Sequence, residues 1–189
     1  MQAGYMRPAF LIPEAIEVEM IFKNHWSRTL ATTLLTAVAL GFGLALAEAA
    51  TIVALGASNT YGKGVARNQA YPAQLQAILQ AGGKSVRVIN AGINGDTTEG
   101  MLNRLNRAVP NGTSVVILQP GGNDRRKGSP DRTSEIQSRL SARGIPVVML
   151  GNSMLSGLPH QPDGVHLTPE GYQMLARAIA PSVQSAMGR

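Results

Sequence analysis

Apolar runs typical of buried strands alternate with helical patterns from residue 51 to the end of the chain. Short, mostly apolar runs occur at residues 51–55, 86–89, 114–118 and 146–150. Between and after them, apolar side chains recur every three or four residues, as on one face of a helix. Strands that alternate with helices predict a parallel sheet with helices packed on its faces. We therefore expect an α/β fold, a three-layer α/β/α sandwich with a short, four-stranded parallel sheet.

Capping signals locate the beginnings of three predicted helices. Asp96 and Glu99 have the spacing of a capping box, and Pro110 closes the apolar pattern that follows them. The next helix is expected to begin at Ser129-Pro130, and the last one at Thr168-Pro169. No internal repeat or second domain is apparent.

The N-terminal region has the form of a secretory signal. Residues 29–47 carry no charge, follow the basic Lys23 and Arg28, and end at Ala47-Glu48-Ala49, a small-x-small pattern typical of signal-peptidase sites. We expect residues 20–49 to be a signal peptide, and residues 50–189 to be a single domain that is periplasmic or secreted. Residues 1–19 precede the basic region and contain two prolines and three glutamates, so we interpret them as an over-extended start.

An uncleaved membrane anchor is the alternative, because about 17 to 25 apolar residues can span a bilayer. Four threonines and two glycines dilute the uncharged segment, and the first predicted strand begins at Thr51, which leaves no linker. These features favour cleavage. Contact with a membrane is then expected only during export, or if the segment stays uncleaved.

The composition of residues 50–189 narrows the choice of ligand. The domain holds 14 Lys and Arg against 7 Asp and Glu, a net charge of +7, which favours solubility or attraction to anionic surfaces or substrates. The basic residues are scattered except at residues 125–127, and aromatic residues are few, so we expect no nucleic-acid binding. The chain has no cysteine, and the domain has only two histidines without a His-Glu-x-x-His spacing, so we expect neither a metal nor another cofactor.

Four short segments hold the residue types that ester hydrolysis needs, and they lie after predicted strands or just before the last helix. They are Gly-Ala-Ser-Asn-Thr at 56–60, Asn-Gly-Asp-Thr at 94–97, Gly-Gly-Asn-Asp at 121–124 and Asp-Gly-Val-His at 163–166. In open parallel sheets this edge binds ligands. Ser58 offers a nucleophilic hydroxyl, His166 a base, and Asp163 a carboxylate that orients the imidazole. Gly95 and Asn123 offer N–H donors for an oxyanion.

Each segment alone also has an ordinary interpretation. Ser58 is compatible with a simple helix N-cap, and Asn-Gly is a common turn. His160 is a competing base, but no carboxylate stands at a comparable offset from it, so we interpret it as a solvated loop residue.

The order and the residues of the four segments resemble those of the SGNH hydrolases, also called GDSL esterases and lipases. The resemblance is closest to their bacterial thioesterase, lysophospholipase and arylesterase branch. The resemblance begins at about Thr51 and implies a flavodoxin-like SGNH fold. It implies that Ser58, Asp163 and His166 form a catalytic triad, with an oxyanion hole made by the Ser58 backbone N–H, Gly95 and Asn123. The chain departs from the family where Gly-Asp-Ser-Leu becomes Gly-Ala-Ser-Asn, because the acidic neighbour of the serine is missing at Ala57. The stretch between the third and fourth segments is also shorter.

The expected activity is that of a serine-dependent carboxylic-ester hydrolase. Its expected partner is a small acyl ester, thioester or lysophospholipid, cleaved through an acyl-enzyme. A carbohydrate O-deacetylase of the same fold is an alternative, and a catalytically silent surface-binding domain is a non-enzyme alternative. The sequence leaves the oligomeric state open.

Overall fold

One parallel sheet forms the centre of the fold, as the alternating pattern predicts. A computed structural model describes residues 48–188, so the predicted over-extended start and nearly all of the predicted signal peptide lie outside the described residues. The strands are β1 Ala50–Gly56, β2 Val86–Gly92, β3 Thr113–Gln119 and β4 Val147–Met149. Their order is β2-β1-β3-β4, and every neighbouring pair is parallel. In this flavodoxin-like order, β2 lies on one side of β1, and β3 and β4 lie on the other. Such sheets bind ligands at the point between β1 and β3 where the order switches sides.

Helices connect the strands and follow the last of them. Within residues 48–188 the α-helices are α1 Ser58–Tyr61, α2 Tyr71–Ala81, α3 Thr98–Asn103, α4 Leu105–Ala108, α5 Asn123–Lys127, α6 Thr133–Ala142, α7 Ser153–Ser156 and α8 Pro169–Met187. Among these described residues, no helix has both the length and the apolar character needed to cross a bilayer.

Side chains of β1 alternate between two apolar cores, one on each face of the sheet. Ile52 and Ala54 belong to the core that contains buried residues of α2 and α8. Val53 and Leu55 belong to the core that contains buried residues of α3, α4 and α6. Because both faces are covered, the strand appears in the sequence as a continuous apolar run. The result is the predicted three-layer sandwich.

Two predicted helix beginnings were wrong. The helix after β2 is capped by Thr97, whose Oγ1 accepts the Gly100 N–H at 3.1 Å, while the Asp96 carboxylate accepts a hydrogen bond from Arg104 at 2.9 Å. Asp96 therefore serves a tertiary contact and forms no capping box. The helix predicted from Ser129-Pro130 begins only at Thr133.

The last helix begins where the sequence predicts. Thr168 Oγ1 accepts the Gly171 N–H at 3.1 Å, and Pro169 occupies the first turn. Buried side chains then recur along α8 at Tyr172, Leu175 and Ile179, so this long amphipathic helix covers one face of the sheet and fixes the loop that precedes it.

Candidate active site

Ser58, His166 and Asp163 form a continuous chain of polar contacts at the carboxyl ends of the strands. Ser58 is the first residue of α1 and is separated from the end of β1 only by Ala57. Its Oγ lies 2.9 Å from His166 Nε2. His166 Nδ1 lies 2.5 Å from Asp163 Oδ2. Ser58 and His166 are 108 positions apart in the chain, and both are buried. An imidazole that bridges a hydroxyl and a carboxylate is arranged to accept the hydroxyl proton.

A tight turn holds the Asp163 carboxylate against the imidazole. Asp163 Oδ1 accepts the backbone N–H groups of Val165 and His166, both at 2.9 Å, and Gly164 between them has a φ of +65° that favours glycine. The hydrogen bond with the His166 ring, followed by these two backbone bonds, holds the pKa of the Asp163 carboxyl well below its usual range. The carboxylate thus stays ionised and directs Nδ1 of the ring toward itself, which leaves Nε2 facing the serine.

Asn59, next to the serine, ties the serine helix to the histidine loop. Its Nδ2 donates to the Val165 carbonyl at 3.0 Å, and its Oδ1 accepts the Tyr172 hydroxyl at 3.0 Å and the Leu167 N–H at 3.4 Å. No role for this residue was expected from the sequence. The available signal was the asparagine at the position where the family motif has leucine.

The serine turn is braced without an acidic residue at Ala57. Gln119, at the end of β3, accepts the Ala57 N–H at 3.3 Å and the Thr60 hydroxyl at 3.2 Å through Oε1. Arg104 donates to the Gly56 carbonyl at 3.3 Å and pairs with Asp96 at 2.8 Å. Gln119 therefore links the beginning of the turn to Thr60, and Arg104 holds its first carbonyl. Neither residue was identified from the sequence.

Asn123 lies beside Ser58 with one amide hydrogen available. It is the first residue of α5, it is 4% exposed, and it lines the same cavity as Ser58. Its Nδ2 donates to the Asp96 carbonyl at 2.7 Å, and its Oδ1 accepts from the Arg126 guanidinium. Since a carboxamide nitrogen carries two hydrogens, the second can donate to a developing oxyanion.

Gly95 sits in the neighbouring loop and does not line this cavity. Its φ is +73°, and its carbonyl accepts a hydrogen bond from Lys127 Nζ at 2.7 Å. This lysine contact anchors the loop to α5. The contribution of the Gly95 N–H to an oxyanion hole stays a prediction.

The cavity at Ser58 has a volume of about 300 Å³ and mixed walls. His160, predicted to be a solvated loop residue, is half-buried and lines it together with the apolar Leu155 and Val165. Within residues 48–188, no group of three or more His, Cys, Asp and Glu side chains is arranged to hold a metal ion. The arrangement therefore places a hydroxyl, an imidazole and hydrogen-bond donors around a small cleft.

The sequence model of the GDSL-like lipase/acylhydrolase family matches residues 54–161. The chain belongs to this family. The GDSL-like match includes Ser58 and Asn123 but ends before Asp163 and His166, whose place beside the serine is seen in the geometry.

Several proteins to which the chain is similar are named as esterases. Esterase TesA of Pseudomonas aeruginosa is 32% identical over 111 residues, which are 56% of this chain and 55% of that protein. The alignment thus spans about half of this curated relative. Among solved structures, AlinE4, titled an SGNH-hydrolase family esterase, is 28% identical with a TM-score of 0.51, covering 76% of this chain and 75% of that one. A crystal structure of TesA shares the fold at 24% identity and a TM-score of 0.62, covering 72% of this chain and 99% of that one.

Proposed function

We propose that the protein is a serine-dependent carboxylic-ester hydrolase that acts on small acyl esters, thioesters or lysophospholipids through an acyl-enzyme. The observation that carries the proposal is the 2.9 Å contact between Ser58 Oγ and His166 Nε2, with Nδ1 of the same ring held by Asp163. Membership of the GDSL-like family and similarity to Esterase TesA support the same activity.

In the first half of the proposed reaction, Ser58 Oγ attacks the ester carbonyl carbon while His166 Nε2 takes its proton. The adjacent Asp163 carboxylate stabilises the imidazolium that forms. The carbonyl oxygen becomes an oxyanion. It accepts hydrogen bonds from the second Asn123 amide hydrogen and from the backbone N–H groups of Ser58 and Gly95. Asn123 is already held by its bonds to Asp96 and Arg126, so little reorganisation is needed as charge develops.

The second half releases the acid and restores the serine. The carbon–oxygen or carbon–sulfur bond of the tetrahedral intermediate breaks, and the leaving alcohol or thiol takes the proton from His166. The acyl group remains on Ser58 Oγ. His166 then removes a proton from water, which attacks the acyl-enzyme, and returns that proton to Ser58 as the carboxylic acid leaves.

Replacement of the nucleophile tests the proposal. Ser58→Ala should abolish hydrolysis of 4-nitrophenyl acetate and labelling by a fluorophosphonate, while the circular dichroism spectrum stays that of the wild type. Ser141→Ala, which removes an exposed hydroxyl from α6, is the matched control and should change neither readout. Esterase activity that survives undiminished in Ser58→Ala contradicts the assignment.

We also propose that the protein is exported and cleaved near Ala49, on the support of the uncharged residues 29–47 and the small-x-small site. Cleavage there would leave β1, which begins at Ala50, intact. Expression from Met20 followed by N-terminal sequencing of the exported product should find a start near Ala50. Recovery of only an uncleaved, membrane-bound form would identify the segment as an anchor.

A further inference from the structure

The cavity beside Ser58 presents positive charge and no negative charge. Arg125 and Arg126 line it together with His160, and none of its lining residues is Asp or Glu. Both arginines are exposed, so their head groups are accessible to a ligand. A purely apolar acyl chain makes no polar contact with these arginines, because guanidinium groups bind carboxylates and phosphates.

The two arginines differ in what they already bind. Arg126 donates to Asn123 Oδ1, so it orients the carboxamide that we assign to the oxyanion. Arg125 takes part in none of the side-chain hydrogen bonds or ion pairs formed among residues 48–188. Its guanidinium therefore retains its donors for a ligand in the cavity.

The carboxylates that border the same cavity wall as Arg125 form no ion pair with it. Asp124 and Asp131 line an adjoining cavity that Arg125 also borders. Asp124 Oδ1 instead accepts the Thr98 N–H at 2.9 Å. Asp131 Oδ1 accepts the backbone N–H and the hydroxyl of Thr133 at 2.8 Å and 2.5 Å, bonds that lower the pKa of Asp131. Both carboxylates are engaged by α3 and α6, and neither forms an ion pair with Arg125.

We propose that Arg125 determines specificity for esters that carry a negatively charged group, a carboxylate or a phosphate, on the acyl or the alcohol part. This inference rests on the proposed hydrolase function. A guanidinium presents parallel N–H donors that match two oxygens of such a group, which fixes its orientation as well as attracting it. The overall positive charge attracts anions to the whole surface, whereas Arg125 holds one beside the nucleophile.

Two pairs of matched esters test the proposal and locate the charge. On the acyl side, the 4-nitrophenyl half-ester of adipic acid is compared with 4-nitrophenyl hexanoate, which has the same chain length without the carboxylate. On the alcohol side, 4-acetoxybenzoate is compared with 4-acetoxybenzamide. The wild-type protein should favour the anionic member of at least one pair by about fivefold or more in kcat/KM.

Three variants separate local recognition from general attraction. Arg125→Gln should remove most of the anion preference, and Arg125→Lys should restore part of it, because lysine keeps the charge but loses the planar fork. Arg107→Gln removes the same charge from an exposed position of α4, outside the cavity, and should keep the wild-type preference. Equal losses in Arg107→Gln and Arg125→Gln would overturn the proposal in favour of long-range attraction.

The outcomes distinguish this inference from the proposed function. If the esters are hydrolysed without a preference for the anionic member of either pair, the role of Arg125 is refuted and the hydrolase proposal stands. If none of the four esters is hydrolysed, the hydrolase proposal fails. Anion recognition is then decided by calorimetric titration of the adipate half-ester and of 4-acetoxybenzoate into Ser58→Ala with and without Arg125→Gln. Equal affinity of the two proteins for both anions overturns the inference, and weaker binding of either anion without Arg125 supports it.

Discussion

Replacement of Asn59 by alanine should loosen the connection between the serine helix and the histidine loop. The change removes the acceptor of the Tyr172 hydroxyl and of the Leu167 N–H. Both of these residues are fully buried, so we expect both donors to be left without a partner. The Val165 carbonyl also loses its donor, but Val165 is 40% exposed, and we expect water to bind there instead.

The expected loss of stability follows from these two buried donors. A buried polar group left without a partner costs about 1–3 kcal/mol. The Leu167 bond is long at 3.4 Å and belongs at the low end of that range. We therefore expect Asn59→Ala to lower the free energy of unfolding by about 2–4 kcal/mol, out of the roughly 5–15 kcal/mol typical of a domain.

Urea denaturation and steady-state kinetics measure the two consequences. Besides the loss of stability, kcat should fall by about 10²-fold, because a displacement of about 1 Å between serine and histidine is enough to cost that much. Asn106→Ala, at an exposed position of α4, should change the free energy of unfolding by less than about 0.5 kcal/mol and leave kcat unaltered.

A double-mutant cycle gives the sharpest test. In the wild-type background, Tyr172→Phe should be destabilising, because Asn59 Oδ1 loses a donor. In the Asn59→Ala background, the same change should be neutral or stabilising, since it removes the unpaired hydroxyl. Additive effects of the two substitutions, or an Asn59→Ala protein with wild-type stability and kcat, would refute the coupling.

Three further predictions concern the chemistry and the size of the site. Asn123→Ala should lower kcat by about 10²–10³ with a smaller change in KM, as expected for one oxyanion donor, and a change mainly in KM would show that Asn123 only binds substrate. The kcat/KM value should fall on acidification, giving the pH profile an acid limb, because a protonated His166 cannot accept the serine proton. The pKa of Asp163 lies below its usual range, so that carboxylate stays charged and does not contribute to this limb. A pH profile of His160→Ala should keep this acid limb, and its disappearance would reassign the base. Finally, the cavity of about 300 Å³ lies at the small end of ligand sites, so an aryl-ester series should show higher kcat/KM for acetyl or butyryl than for palmitoyl esters; a rise toward long chains, whose buried methylenes gain about 0.8 kcal/mol each, would contradict it.

Features that depend on short stretches of chain were predictable from the sequence. The four strands were expected from their short apolar runs, and the start of α8 was expected from Thr168-Pro169. The contact between Asp163 and His166 also spans only three residues, with Gly164 allowing the turn. In these cases the side chains that decide the structure are neighbours in the chain, so their pattern alone is informative.

The contacts that hold the site together were decided by the tertiary structure. Asn59 meets its partners across more than 100 residues, and Gln119 meets Ala57 across 62. Asp96 has the local pattern of a capping residue, yet it binds Arg104, and Gly95 lies outside the cavity although its segment has the family order. A polar side chain can bond several partners, and only the packing of helices on the sheet determines which one comes within reach.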